Sequence, residues 1–171
     1  VGNIVYVELD DMLIYLEAHR TVSGIQRVQV EFARYVIENG CVLDGLTFVF
    51  VSNPPYQNCI WQLDSHAVME IVTYANSPNS DHEHLKKLVI SARQNAKRII
   101  PTAGQHYLVL GAFWVFDTVS GRFMHLKQAG IKIGGFIHDL IPINQPEYCV
   151  KELCHEFLLS FGDSMQMFDF I

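Results

Sequence analysis

Two short stretches concentrate the side chains able to do chemistry. In GGFIHDLIPINQPEY, Gly134 to Tyr148, an apolar run ends in His138-Asp139, and Pro142 and Pro146 stiffen the loop beyond it. An imidazole at a strand end can hydrogen-bond a ligand hydroxyl, and an adjacent carboxylate can orient the ring or cap the next turn. Residue types alone leave His138 open between an active-site group and a polar plug. In TVSGIQRVQVEFARYVIENG, Ser23-Gly24 opens a helix pattern. The first turn of a helix presents unpaired backbone N–H groups at a positive dipole end, where a diphosphate fits. Gly24 lacks the Cβ that would hold an anion off the backbone, and Arg27, one turn on, can aim a guanidinium at it. A plain helix start and a solvated arginine are the competing readings of those residues.

Other clusters carry less. DHEH, Asp81 to His84, offers two imidazoles and two carboxylates, but alternation on a polar loop fixes no metal geometry. Cys41, Cys59, Cys149 and Cys154 form neither a CxxC pair nor a disulfide framework, so we expect reduced thiols and no metal site. GxxxxGK[ST], GxGxxG and GxSxG are all missing, which removes the signatures of P-loop, dinucleotide-binding and serine-hydrolase proteins.

Bulk properties narrow the class. The 171 residues suit one domain, half of them are apolar, and mean hydropathy is +0.17, ample for a core. A net charge of −6 and a pI near 5.7 argue against nucleic acid as partner, because phosphate binding needs a concentrated basic face. The densest basic residues, Lys86-Lys87 and Arg93 to Arg98, fall in a segment that reads as a solvated helix. The longest nearly apolar run, Tyr107 to Phe116, is short of the roughly 18–20 residues of a membrane-spanning helix. The sequence opens at Val1 directly on a strand pattern, as a piece of a longer protein would.

The elements that must position these groups can be read from periodicity. NIVYVEL, Asn3 to Leu9, reads as a strand ended by a polar turn at Asp10-Asp11. Ile25, Val28, Phe32 and Tyr35/Val36 give a helical stripe, with Ser23 and Gln26 as a capping box and Asn39-Gly40 as the stop. LTFVFVS, Leu46 to Ser52, reads as a strand buried on both faces. After the Trp-bearing segment Cys59 to Leu63 come a short helix from His66 to Tyr74, a polar loop, and a helix from His84 to Ile100. HYLVLGAFW is a strand, VSGRFMHLKQAG a helix stopped by Gly130, and IKIGGFIHDL a strand whose Gly134-Gly135 would let it lie close beneath a covering helix. Alternation of buried-type strands with helices predicts a doubly wound α/β domain with a mainly parallel sheet. Ligands then bind beyond the carboxyl ends of the strands, near Asp10, Gly111 to Trp114 and His138-Asp139.

GIQRV, Gly24 to Val28, then LVLGAFW, then HDLIPINQPEY, His138 to Tyr148, stand in the order and spacing of the N-terminal landmarks of GT-B-fold glycosyltransferases of family 4. The chain resembles in particular the mannosyl- and rhamnosyltransferase-like members of bacterial surface-polysaccharide and O-antigen assembly, from about Asn3 to Tyr148. The resemblance implies a Rossmann-like, acceptor-side domain over residues 1–171, with the donor-binding domain and its paired glutamates not in this sequence. It implies transfer of a sugar from a nucleotide-sugar donor to a glycan or lipid-linked acceptor, with retention, without metal or other cofactor, and with no activity from this piece alone.

On that resemblance His138 and Asp139 are the catalytic-site candidates, His138 touching the donor sugar. Ser23, Gly24 and Arg27 would hold the donor phosphate, and Phe113 and Trp114 would offer aromatic faces to the acceptor, against the alternative of core packing. The expected location is cytoplasmic, peripheral to the inner membrane. Two rivals stay open: a non-catalytic carbohydrate- or nucleotide-binding regulatory module on the same shell, and a His-Asp hydrolase acting on esters or phosphates.

Overall fold

The computed structural model describes residues 3–55, 57–115 and 119–171; Val1 and Phe116, each at the end of a segment named from the sequence, lie outside them. Strand β1 (Asn3–Glu8) runs through the middle of the sheet and buries Val5, Tyr6 and Val7. Asp10-Asp11 is not a turn, as its polarity suggested. It opens helix α1 (Asp10–Ala18), where two carboxylates suit the positive helix end and Met12, Leu13 and Leu16 make the buried stripe.

Helix α2 (Gly24–Glu38) starts at the expected Ser23. Its buried face is Gln26, Gln29, Val30, Ala33 and Val36, while Val28 and Tyr35 are exposed, so the stripe is rotated from the expected one. The reason is polar: both glutamines turn inward to the buried Asp11 carboxylate. The helix ends as Asn39-Gly40 predicts, with Gly40 at φ +72° and bonds from Gly40 N to Ile37 O and Cys41 N to Val36 O closing a Schellman motif. Strands β2 (Val42–Leu43) and β3 (Leu46–Ser52) form a hairpin across Asp44-Gly45, both with positive φ, as a type I′ turn requires.

The next segment departs most from expectation. Strand β4 (Ile60–Gln62) returns antiparallel to β3, and helices α3 (Ser65–Ala75) and α4 (His82–Gln94) are N-capped by Asp64 and Asp81. Asp81-His82-Glu83-His84 is thus a helix start, not a loop. The helix expected to reach Ile100 stops at Gln94, and Lys97–Ile99 forms β5, antiparallel to β4. Lys97 and Arg98 on this edge strand disfavour further strand pairing.

Strand β6 (His106–Val109) is followed by a 3-10 turn (Phe113–Val115), helix α5 (Val119–Gln128) and strand β7 (Lys132–Gly135). Both strands are shorter than their apolar runs, so Phe113-Trp114 fall in the 3-10 turn and His138 in a loop, both just beyond the sheet. Gly130, at φ +76°, ends α5 as expected. A short helix α6 (Ile141–Asn144), a 3-10 turn (Pro146–Tyr148) and α7 (Lys151–Met167) complete the chain.

The sheet order is β5-β4-β3-β1-β6-β7, with β3, β1, β6 and β7 mutually parallel and β2 paired to β3. Helices α1 to α4 join one core, built on Leu13, Val30, Val68 and Val89; α5 and the end of α7 join another, built on Tyr107, Phe123 and Ile133. This is a Rossmann-like, doubly wound α/β fold.

Gly134-Gly135 is needed for a close approach, but not by a covering helix. The segment after α7 crosses β7: Asp169 N donates to Ile133 O, Gly135 N donates to Phe170 O, and the rings of Phe168 and Phe170 press on the glycines. A Cβ on Gly135 would stand 2.1 Å from Phe168 Cε2. Gly135→Ala is therefore expected to lower stability by about 1–3 kcal/mol, as overpacking does. Urea denaturation of Gly135→Ala with and without Phe168→Leu checks this, since the smaller partner recovers part of the loss.

Candidate functional site

The carboxyl ends of β1 and β6 flank the point where the chain switches from one side of β1 to the other, the place where doubly wound sheets bind ligands. A buried carboxylate organises it. Asp11 Oδ2 accepts from Gln26 Nε2 at 3.0 Å, Gln29 Nε2 at 2.7 Å and Ala112 N at 3.1 Å. One oxygen thus ties the first turns of α1 and α2 to the loop after β6. Gly111 is required there, since a Cβ would stand 2.5 Å from Asp11 Cβ.

At the start of α2, the Ser23 hydroxyl donates to Gln26 Oε1 and makes no side-chain cap bond to the backbone. The expected capping box therefore closes between side chains, leaving the first-turn N–H groups without a cap from Ser23. Gly24 is exposed, with open space where a Cβ would be, and Arg27 is exposed on the same turn. On the other flank His138 Nε2 donates to Leu110 O at 2.8 Å, and its ring meets Phe136 edge-on at 5.0 Å. This bond ties the loop after β7 to the loop after β6 and assigns the Nε2–H tautomer. Asp139 is exposed and accepts from Ile141 N at 3.0 Å, the turn-capping arrangement that starts α6.

Three of the sequence landmarks are thereby linked at one end of the sheet: α2 through Asp11 to Ala112, and Leu110 to His138. The aromatic pair lies deeper. Phe113 is 1% exposed and contacts Trp114, Phe161 and Phe168; Trp114 packs on Phe157 at 4.8 Å. Both rings are engaged in fastening α7 to the sheet.

Across β3, β1 and β6 lies a charge network that the sequence pattern did not anticipate. Arg122 of α5, 2% exposed, reaches across the strand ends to Glu8 and to Asp10 Oδ2, the latter at 3.1 Å. Asp10 also accepts from Ser52 Oγ and from Asn53 N at 2.7 Å, and Tyr107 Oη donates to Glu8. Burial pushes the Glu8 carboxyl up from its ordinary range, against the pull of Arg122. Burial, then the Glu8 charge, raises the Tyr107 phenol well above its usual value. Arg122 is drawn down by burial, but Glu8, Tyr107 and Asp10 more than offset this, so it stays charged.

The sequence did carry signals for these partners. Gln26 and Gln29 stand three apart on one face of α2, among the residues the helix buries, and Met12, Leu13 and Leu16 after Asp10-Asp11 show helical spacing. Polar residues on an apolar stripe need a buried partner, and for both glutamines the fold supplies Asp11. Nothing local marks Arg122.

Arg122 and Asp10 also border a cleft of about 570 Å³ between β3, β4, α1 and the end of α4, lined by Ile14, Asn53, Pro54, Trp61, Arg93 and Gln94 among others. Among the described residues no group of three or more His, Cys, Asp or Glu is placed to hold a metal, and no helix is long and apolar enough to cross a membrane. All four cysteines are free thiols.

Fold and edge geometry define a Rossmann-like α/β domain with its candidate site at the switch point. Comparison with protein-family models, with curated proteins and with solved structures finds no match.

Proposed function

We propose that this chain is the N-terminal, acceptor-side domain of a retaining glycosyltransferase of the GT-B class, acting in polysaccharide assembly with a nucleotide-sugar donor and a glycan or lipid-linked acceptor. The observation that carries the reading is the joining of the α2 start, the Leu110–Ala112 loop and His138 at one end of a doubly wound sheet. A donor diphosphate is placed against the first turn of α2, with Arg27 supplying an exposed positive charge and Ser23-Gly24 the open backbone. His138, held by Leu110 O, positions a sugar hydroxyl, and Asp139 holds the loop that carries it.

In the reaction, the bond from the anomeric carbon to the diphosphate oxygen breaks and a bond to the acceptor oxygen forms on the same face. The acceptor proton passes to the leaving phosphate. The protein's part is positioning and charge stabilisation, so no dedicated base is required of this domain. A donor-binding domain elsewhere in the full-length protein would complete the site, and the location would be at the inner face of a membrane without crossing it.

The test is transfer by the full-length protein over a set of nucleotide sugars, with His138→Ala and Arg27→Ala beside it. His138→Ala is expected to lower kcat/KM by about 100-fold, the scale of a lost positioning group, and Arg27→Ala about tenfold with its effect weakened in high salt. Unchanged rates in both variants would reject the site. Donor binding without transfer would favour the non-catalytic module.

A further inference from the structure

We propose that Cys149 and Cys154 are a redox modification site: a surface dithiol that a low-molecular-weight disulfide converts into an intrachain disulfide, fastening the loop after β7 to the start of α7. The inference stands independently of the transferase reading, since it rests on the placement of two sulfurs.

Position along the helix brings the pair together. Val150 is the N-cap of α7, so Cys149 is the residue before the cap and Cys154 the fourth residue of the helix. Those are the two positions whose side chains meet in a hydrophobic staple. Both cysteines also converge on one carbonyl: Cys149 N donates to Pro146 O at 3.1 Å, and Cys154 Sγ donates to the same oxygen at 3.8 Å. The two thiols interact directly. Burial, then Cys154, then the carboxylates of Asp139 and Glu147 raise the Cys149 thiol above its ordinary value.

Accessibility separates this pair from the other two cysteines. Cys149 and Cys154 are half-buried in a surface segment whose Tyr148, Val150 and Leu153 are exposed, whereas Cys59 is buried and Cys41 packs against the core beneath α2. Thiols closed into apolar surroundings are inert, and partly exposed ones react.

The exchange needs no group beyond the two thiols and the reagent. The Cys154 thiolate attacks one sulfur of the reagent, forms a mixed disulfide and expels one thiolate; Cys149, deprotonated in turn, attacks Cys154 Sγ, closes the bridge and expels the second. The two thiol protons end on the departing thiols. The protein gives up two electrons, and the reagent's S–S bond is reduced by two. The bridge ties the end of the segment that begins at His138-Asp139 to α7, which Trp114 and Phe113 already fasten to the sheet.

Lys151 stands between the two sulfurs, so trypsin parts them unless they are bridged. The chain is equilibrated with glutathione and glutathione disulfide at ratios from reducing to oxidising, natively and in urea, then quenched with acid and alkylated in denaturant. Tryptic peptides 133–151 and 152–171 are read by mass spectrometry. We expect the native chain to lose two of its four alkylatable thiols, its two peptides to appear as one linked species, and dithiothreitol to restore both thiols. Closure in the native chain should need at least about tenfold less glutathione disulfide than in urea, because the fold presents the sulfurs to each other. Cys149→Ser is expected to stop at the mixed disulfide on Cys154. Absence of the linked peptides at every ratio, closure no easier in the native chain than in urea, or glutathione adducts persisting on both cysteines would overturn the proposal.

Discussion

Arg122→Met is expected to lower the unfolding free energy by about 3–5 kcal/mol, the scale for removing one partner from a buried ion pair. The side chain is 2% exposed and stands between two carboxylates that are themselves buried, so its loss leaves Glu8 and Asp10 facing each other without a cation. Its Nε–H also donates to Asn53 O at 3.3 Å, and Asn53 Nδ2 donates back to Arg122 O at 3.0 Å, which fastens the loop after β3. Chemical denaturation gives the stability change directly. Glu8→Gln in the Arg122→Met background should recover part of it, because a neutral amide removes one of the stranded charges.

The pH dependence of that loss has a definite sign. Glu8 has a raised folded-state pKa, caused first by burial. A raised group contributes stability that is full below its unfolded pKa and is lost as pH rises through the folded one. Removing Arg122 takes away the largest influence holding Glu8 down, so its folded pKa climbs further. The deficit of Arg122→Met should therefore be smaller near about pH 4 than near about pH 8, with Glu8→Gln flattening the difference. An equal deficit at both ends would mean that Arg122 acts through packing rather than charge.

Asp11→Ala is expected to be the most damaging change at the switch-point edge. It strands three donors, Gln26 Nε2, Gln29 Nε2 and Ala112 N, where replacement water would have to enter a buried site. Hydrogen bonds to a charged group contribute about 1.5–3 kcal/mol each, and the losses overlap because all three share one oxygen, so about 3–4 kcal/mol in total is expected. The functional effect should exceed what stability explains. With Asp11 gone, the start of α2 is no longer tied to the loop that also supports His138, so under the proposed transferase function donor binding by the full-length protein should weaken even where the variant remains folded. Asp11→Asn keeps the shape but loses the charge and turns an amide on the donors. Unfolding midpoints beside donor titrations separate the two effects; an Asp11→Ala protein that binds donor as well as the wild type would remove this junction from the site.

Legibility in the sequence tracked the range of the interaction. The start and stop of α2 and the end of α5 were readable because caps and left-handed glycines are made by residues a few positions apart. The parallel centre of the sheet was readable from uninterrupted apolar runs. Helix α1 was missed because an acidic pair after a strand imitates a turn when its helical partners are not weighed. The helix expected through Ile100 was cut short because Lys97–Ile99 pairs with β4, a tertiary contact that overrides the local pattern.

The candidate site divides in the same way. Ser23, Gly24, Arg27, His138 and Asp139 could be nominated from sequence because they sit beside punctuation that marks element ends. That Phe113 and Trp114 fasten α7 was not legible, since an aromatic pair has the same letters in a core as in a binding face. Nor was the cleft beside Trp61, whose walls come from five separate elements.

By itself the sequence determined the class of fold, the parallel core and the ends of the best-punctuated helices, because period and capping are local properties of the chain. Only the tertiary structure decided what the polar residues do. Arg122 lies 114 residues from Glu8 and 112 from Asp10, and Ala112 lies 101 from Asp11. No local pattern encodes such pairs. They exist because folding brings those groups out of water together, where each must find a partner or destabilise the fold.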